Sequence, residues 1–121
     1  VTARILLVDD DAKMVELVSG ILADDGYEVF GTTTAVEALE LAGRLAPDVI
    51  VLDEVMPDRT GLDVAGEIRE SSPEQAIIIF SSLFDLRLSD EVRRLGFRYV
   101  EKADGIDALE RAIREVQPRR P

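Results

Sequence analysis

Residues 49–54 read Val49-Ile50-Val51-Leu52-Asp53-Glu54, four apolar residues in a row that stop at two carboxylates. A continuous apolar run of this length, without the alternation of a half-wetted sheet, suits a strand buried on both faces of a parallel sheet. Two further runs have the same character. Ile5-Leu6-Leu7-Val8 stops at Asp9-Asp10-Asp11, and Ile77-Ile78-Ile79-Phe80 stops at Ser81-Ser82. Weaker strands are expected over 27–30 and 97–101, the last followed by Lys102. Between the strands the period changes to that of a helix. Met14, Leu17, Val18, Ile21 and Leu22 form a core-facing stripe ending near Gly26, and Ala35, Ala38, Leu39, Ala42 and Leu45 form another between an N-cap at Thr34 and a stop at Pro47. Leu62, Ala65 and Ile68 mark a third helix; Leu88, Val92 and Leu95, closed by Gly96, a fourth; and Ile106, Leu109, Ile113 and Val116 a fifth. Strand and helix therefore alternate five times, which predicts an α/β fold: a single doubly wound, five-stranded parallel sheet with helices on both faces.

Composition bounds what such a fold can do. The 121 residues suffice for one domain, expected over 1–117, with 118–121 (Pro118-Arg119-Arg120-Pro121) a tail or the start of a linker, in either a stand-alone protein or a piece of a longer chain. Twenty-five acidic and 14 basic residues give a formal charge of −11, a surface that repels a phosphate backbone, so direct nucleic-acid binding is not expected. With no Cys and no His the chain lacks the usual zinc ligands, disulfides, a thiol nucleophile and a Ser-His dyad. No apolar run approaches the roughly 18 residues of a membrane span, and the expected location is the cytoplasm.

Ligands of open α/β sheets sit beyond the carboxyl ends of the strands, where neighbouring strands send their helices to opposite faces. If the first and third strands are neighbours, as many as five carboxylates from Asp9-Asp10-Asp11 and Asp53-Glu54 crowd one rim. Their mutual repulsion calls for a compensating charge, and a hard divalent cation supplies it. Mg²⁺ takes one or two carboxylates together with water and a phosphate oxygen, which makes Asp10 and Asp53 the natural direct ligands and Asp9 a partner through water. The hydroxyl of Ser81 and the ammonium of Lys102 reach the same rim, so acid, metal, hydroxyl and lysine together describe a phosphoryl site. In the absence of His, Cys and a Walker-type glycine loop, the acceptor is a carboxylate or a hydroxyl, and Asp53 is the best placed.

Asp9-Asp10 after an apolar strand, Asp53 followed by Met56-Pro57 and Gly61, a hydroxyl at Ser81, and Tyr99 three residues before Lys102 together resemble the receiver domain of two-component response regulators. The resemblance covers essentially the whole chain. It implies the flavodoxin-like receiver fold with strand order 2-1-3-4-5, and a signalling switch rather than an enzyme with a substrate of its own. It also implies that Asp53 accepts a phosphoryl group from a phosphohistidine of a sensor histidine kinase or histidine phosphotransfer protein. In such a site Mg²⁺ is held by Asp10, Asp53 and the Val55 main-chain carbonyl, with Asp9 acting through water. Ser81 and Lys102 would bind the phosphoryl oxygens, and Tyr99 would change rotamer with Ser81. The charged stretch through Arg87, Asp90, Glu91, Arg93, Arg94, Arg98, Glu101, Asp107, Arg111 and Glu115 would form the surface, from the fourth helix to the fifth, that binds an output partner or a second copy. The family often carries Lys-Pro with a cis bond where this chain has Lys102-Ala103, and the run from Gly96 to Lys102 is one residue shorter than the commonest spacing.

Plainer roles compete at several positions. Asp11, directly before the first helical stripe, reads as an N-cap, and Glu54 as a solvated loop charge. Met56-Pro57 and Gly61 shape a loop whatever else they do. Three other functions are compatible with parts of the pattern. A haloacid dehalogenase type of Mg²⁺-dependent aspartyl-phosphate phosphatase would use Asp9 and Asp11 as its Asp-x-Asp pair, but Ala12-Lys13 follows where Thr or Val is expected. A flavodoxin-like FMN carrier would place three Asp against the FMN phosphate. A receiver-like scaffold that takes no phosphate would have no need of the complete set Asp9, Asp10, Asp53, Ser81 and Lys102.

Overall fold

The computed structural model describes residues 2–83 and 85–118, so Arg119 to Pro121 of the expected tail lie outside the described residues. Five strands, β1 (Arg4–Val8), β2 (Glu28–Thr32), β3 (Val49–Leu52), β4 (Ala76–Ser81) and β5 (Arg98–Glu101), alternate with α1 (Ala12–Asp24), α2 (Ala35–Leu45), α3 (Gly61–Ser71), α4 (Leu86–Arg94) and α5 (Gly105–Val116). All strands are parallel and lie in the order β2-β1-β3-β4-β5. None of the helices is long and apolar enough to cross a membrane, among the described residues.

The apolar runs behave as expected of strands covered on both sides. Successive side chains of a strand point to opposite faces, and each run divides accordingly. Leu6, Val8, Ile50, Leu52, Ile77 and Ile79 pack with Ala35, Ala38, Val64, Ala65, Ile68 and Val92 of α2, α3 and α4. Ile5, Leu7, Val49, Val51, Ile78 and Phe80 pack with Val18, Leu22, Leu109, Ala112 and Ile113 of α1 and α5. The result is three layers with two cores.

Helix ends follow local chemistry. Asp11 caps α1 by accepting from the Lys13 N–H (3.0 Å), Thr34 caps α2 by accepting from Glu37 N–H (3.2 Å), and α2 ends with Ala46 in the left-handed region before Pro47. Gly26 and Gly96 take positive φ just past α1 and α4, as their positions in the sequence predict. Two expected core residues are not in the core. Leu17 is 59% exposed and Leu95, the C-cap of α4, is 43% exposed. In α1, Val18 and Leu22 reach the core and Met14 and Ile21 are half-buried, so the helix presents a narrower stripe than its five apolar residues suggest.

Because β1 is followed by a helix on one face and β3 by a helix on the other, the crevice between their carboxyl ends is the place where the sheet changes winding direction.

Candidate functional site

Register brings the first acids together. Val8 of β1 pairs with Leu52 of β3, so the residues that follow them, Asp9 and Asp53, emerge side by side. Their main chains are fixed by bonds that prolong the sheet: Asp53 N–H donates to Val8 O (2.9 Å) and Asp9 N–H to Thr32 O (3.2 Å). Both side chains are buried at this rim, with Asp9 3% and Asp53 6% exposed, whereas Asp10 is exposed. One carboxylate oxygen from each of Asp9, Asp10 and Asp53 can be chosen so that all three lie within 4.8 Å of one another.

Lys102, the residue after β5, reaches across β4 into this cluster. Its Nζ lies 2.6 Å from Asp9 Oδ2 and 3.6 Å from Asp53 Oδ2, with the Phe80 ring beneath it at 6.0 Å from the centroid. The peptide bonds of the described residues are all trans, including Lys102-Ala103. Both oxygens of Asp9 thereby have a partner, since the other accepts from Asp11 N–H at 2.9 Å. Three carboxylates against one ammonium leave two negative charges in the site. Burial and the charge of Asp9 push the Asp53 carboxyl up to about 6, Asp10 adds to this, and Lys102 and the Val55 N–H oppose it. An oxygen-only donor set with two uncompensated charges fits a hard divalent cation such as Mg²⁺. Asp10 and Asp53 have oxygens to offer it. Asp9 also offers an oxygen within the cluster while holding Lys102 and the Asp11 N–H. Asp11 is exposed, caps α1 and stands outside the cluster, so the Asp-x-Asp pairing of Asp9 with Asp11 does not form.

The remaining expected residues line the neighbouring strand ends. Ser81 is fully buried at the end of β4 and accepts from Leu83 N–H at 3.1 Å, which leaves its own O–H to donate. Ser81 pairs with Glu101, the residue before Lys102. Tyr99, half-buried on β5, donates its hydroxyl to the Leu83 carbonyl. The main chain of Leu83 is therefore held on both sides of its Cα, by Ser81 through its N–H and by Tyr99 through its C=O. Burial and the nearby acids Glu101, Asp85 and Glu54 raise the Tyr99 phenol above its ordinary value, so it stays a donor at neutral pH. Beside it, between α4 and β5, is a groove of about 170 Å³ lined by Asp85, Leu86, Ser89, Arg93, Tyr99, Glu101 and Asp104. Arg98 pairs with Glu115 and Arg94 with Glu91 on the same charged stretch.

Glu54 is the residue whose place was misread. It is 7% exposed, and its Oε1 accepts from Leu62 N–H at 2.8 Å in the first turn of α3. Burial, with the charges of Asp53 and Asp63, raises its carboxyl above the usual range, against the opposing bond from Leu62. Its main chain is used as well, because Gly61 N–H donates to Glu54 O at 2.9 Å and Val55 bridges Thr60. A side chain at Gly61 has no room: a Cβ there would lie 2.3 Å from Asp53 O. The loop from Asp53 to Gly61 is thus folded tightly onto the main chain of Asp53.

Comparison with known proteins agrees with this geometry. The sequence profile of the response regulator receiver domain matches residues 5–114. The chain is 38% identical over 81 residues to the chemotaxis protein CheY of Thermotoga maritima, covering 66% of this chain and 68% of that one. It is 38% identical over 79 residues to the response regulator MprA of Mycobacterium leprae, covering 65% of this chain and 35% of that longer protein. Among solved structures, a response regulator receiver domain protein from Clostridium thermocellum superposes with a TM-score of 0.89 at 28% identity, over 94% of this chain and 93% of that one. The response regulator TrrA of Thermotoga maritima, in complex with Mg²⁺-BeF, superposes with a TM-score of 0.86 at 31% identity, over 95% and 99% of the two chains.

Proposed function

Because the chain belongs to the response regulator receiver domain family of two-component systems, we propose that it is a phosphorylation switch in which Asp53 is the phospho-acceptor. The observation that carries this reading is the placement of Asp53: a buried carboxylate on a central strand end, with Lys102 Nζ 3.6 Å away and Asp9 and Asp10 alongside. The donor is a phosphohistidine of a sensor histidine kinase or histidine phosphotransfer protein. In the transfer the phosphorus–nitrogen bond breaks, an Asp53 oxygen forms the new bond to phosphorus, and the imidazole leaves with the electron pair.

Each residue of the rim has a part. Asp53 is mostly ionised at neutral pH even with its raised carboxyl, so it offers a lone pair. Asp10, Asp53 and the Val55 main-chain carbonyl would hold Mg²⁺, with Asp9 acting through water; the bound ion supplies charge neutralisation for the phosphoryl oxygens. Lys102, now on Asp9, can turn to a phosphoryl oxygen over a short distance. The Ser81 hydroxyl donates to another. Drawing Ser81 toward that oxygen pulls on the Leu83 N–H that it holds, and the Leu83 carbonyl that anchors Tyr99 moves with it. This links the acceptor to the α4–β5–α5 face, where an output partner or a second copy would dock.

On this reading the chain is a receiver over 1–117, with 118–121 a tail or linker start, acts in the cytoplasm, and assists its own phosphorylation and slow dephosphorylation without a separate substrate. Intact mass after exposure to acetyl phosphate and Mg²⁺ tests it. Wild type should gain one phosphoryl group and Asp53→Asn none; an adduct formed at the wild-type rate in the variant removes the assignment.

A further inference from the structure

We infer that Glu54 is a positioning residue for the metal site, a tether that holds the loop after Asp53 in the shape needed to bind the cation. The inference rests on the Mg²⁺ reading given above and extends it to a residue outside the cation's ligand set.

Three observations converge on this residue. A Glu directly after the acceptor sits almost fully buried between β3 and α3, an unusual place for a carboxylate without a purpose. Its side chain satisfies Leu62 N–H, one of the donors that the first turn of α3 cannot pair internally. Its own carbonyl accepts from Gly61 N–H, so one residue grips the start of α3 with both side chain and main chain. The segment between these grips contains Val55, whose N–H serves the Asp53 carboxylate and whose backbone bridges Thr60. Gly61 meanwhile presses on the Asp53 carbonyl so closely that even a methyl group is excluded. A shift of α3 relative to Glu54 is therefore passed directly to the main chain that follows the acceptor carboxylate, from the Asp53 carbonyl to Val55. An apolar residue at this position could fill the space but would leave Leu62 N–H unpaired and the loop untied.

The test compares Mg²⁺ affinity, read by titration calorimetry without phosphodonor, in wild type, Glu54→Leu, Glu54→Gln and Thr34→Ala. Glu54→Gln keeps an oxygen for Leu62 N–H and removes the charge. Thr34→Ala removes a side-chain cap of similar kind, but from α2 and not from α3. The expected result is a three- to tenfold weaker affinity in Glu54→Leu, near-wild-type affinity in Glu54→Gln, and no change in Thr34→Ala. Wild-type affinity in Glu54→Leu overturns the inference. Equal weakening in Glu54→Leu and Glu54→Gln also overturns it, by showing that charge and not the tether matters. A wild type that binds no Mg²⁺ overturns the metal reading and this inference with it. Amide exchange in the wild type needs no variant to fold: Leu62 N–H should be protected, and exchange as fast as an unstructured amide refutes the tether.

Discussion

Replacing Asp53 by Asn should make the metal-free domain more stable, even though it removes the proposed phospho-acceptor. Asp53 ionises at about 6 in the folded chain against 3.8 for an ordinary aspartate, chiefly because it is buried and next because Asp9 is beside it. Its folded-state value is raised, so its contribution is fully present below about pH 3.8 and is lost as pH rises through about 6. A difference of about two pH units corresponds to roughly 3 kcal/mol, at about 1.4 kcal/mol per unit. Asn carries no charge and avoids that cost. Thermal melts in EDTA at pH 7 should therefore place Asp53→Asn above wild type by about 1–3 kcal/mol, a rise in Tm on the order of 5–10 °C for a domain of this size. The gap should narrow as the pH falls and close near pH 4, where wild-type Asp53 is protonated. Glu54 is raised for similar reasons and adds the same sign of pH dependence, but it is present in both proteins and largely cancels in the comparison. Saturating Mg²⁺ should close or reverse the gap, because binding to the folded state alone contributes about 2.7 kcal/mol at 100 times Kd to wild type and little to the variant. A variant no more stable than wild type at pH 7 in EDTA, or a gap that persists unchanged at pH 4, would refute the claim that the rim stores unfavourable charge at Asp53.

Three further outcomes follow from the same geometry. Asp10→Ala should abolish most of the Mg²⁺-induced rise in Tm, whereas Asp11→Ala should keep that rise and lose only about 0.5–2 kcal/mol of stability through the α1 cap; equal loss of the metal response in both would mean the ligands are wrongly chosen. Lys102→Ala should retain or tighten Mg²⁺ binding, because it removes a positive charge 3.6 Å from Asp53, while it weakens phosphorylation or its structural consequence; calorimetry showing lost Mg²⁺ affinity would contradict this. Gly61→Ala should cost about 1–3 kcal/mol in denaturant unfolding and lower Mg²⁺ affinity, because the added methyl meets the Asp53 carbonyl, which is main chain and cannot swing aside; a neutral effect would show that the loop yields there.

Most of the fold was legible because parallel sheets bury both faces of their strands. The runs at Ile5–Val8, Val49–Leu52 and Ile77–Phe80 carry no polar residue to confuse the reading, and each stops at a carboxylate or a hydroxyl. Strand order was not readable from periodicity, which is local; it came with the motif formed by Asp9, Asp10, Asp53, Ser81 and Lys102, and the observed order agrees. Leu17 and Leu95 were misplaced because helical spacing says which residues share a side but not how wide the contact is. Glu54 was misread for a different reason. Capping rules look about three residues ahead, whereas Glu54 satisfies an amide eight positions away, across a loop whose return is set by Gly61 and the Val55–Thr60 bridge. The available signal was its context: a lone Glu next to Asp53 in the otherwise apolar stretch from Val49 to Met56.

The placement of the phosphoryl group tests the central claim most directly. Wild type exposed to a small phosphodonor and Mg²⁺ can be reduced with borohydride, which converts an aspartyl phosphate to homoserine, then digested and mapped by tandem mass spectrometry. The conversion should fall on Asp53 and disappear when Mg²⁺ is removed by EDTA. Conversion at Asp9, Asp10 or Asp11, or a modification at Asp53 that forms equally well in EDTA, would contradict the assignment of Asp53 as a metal-assisted acceptor.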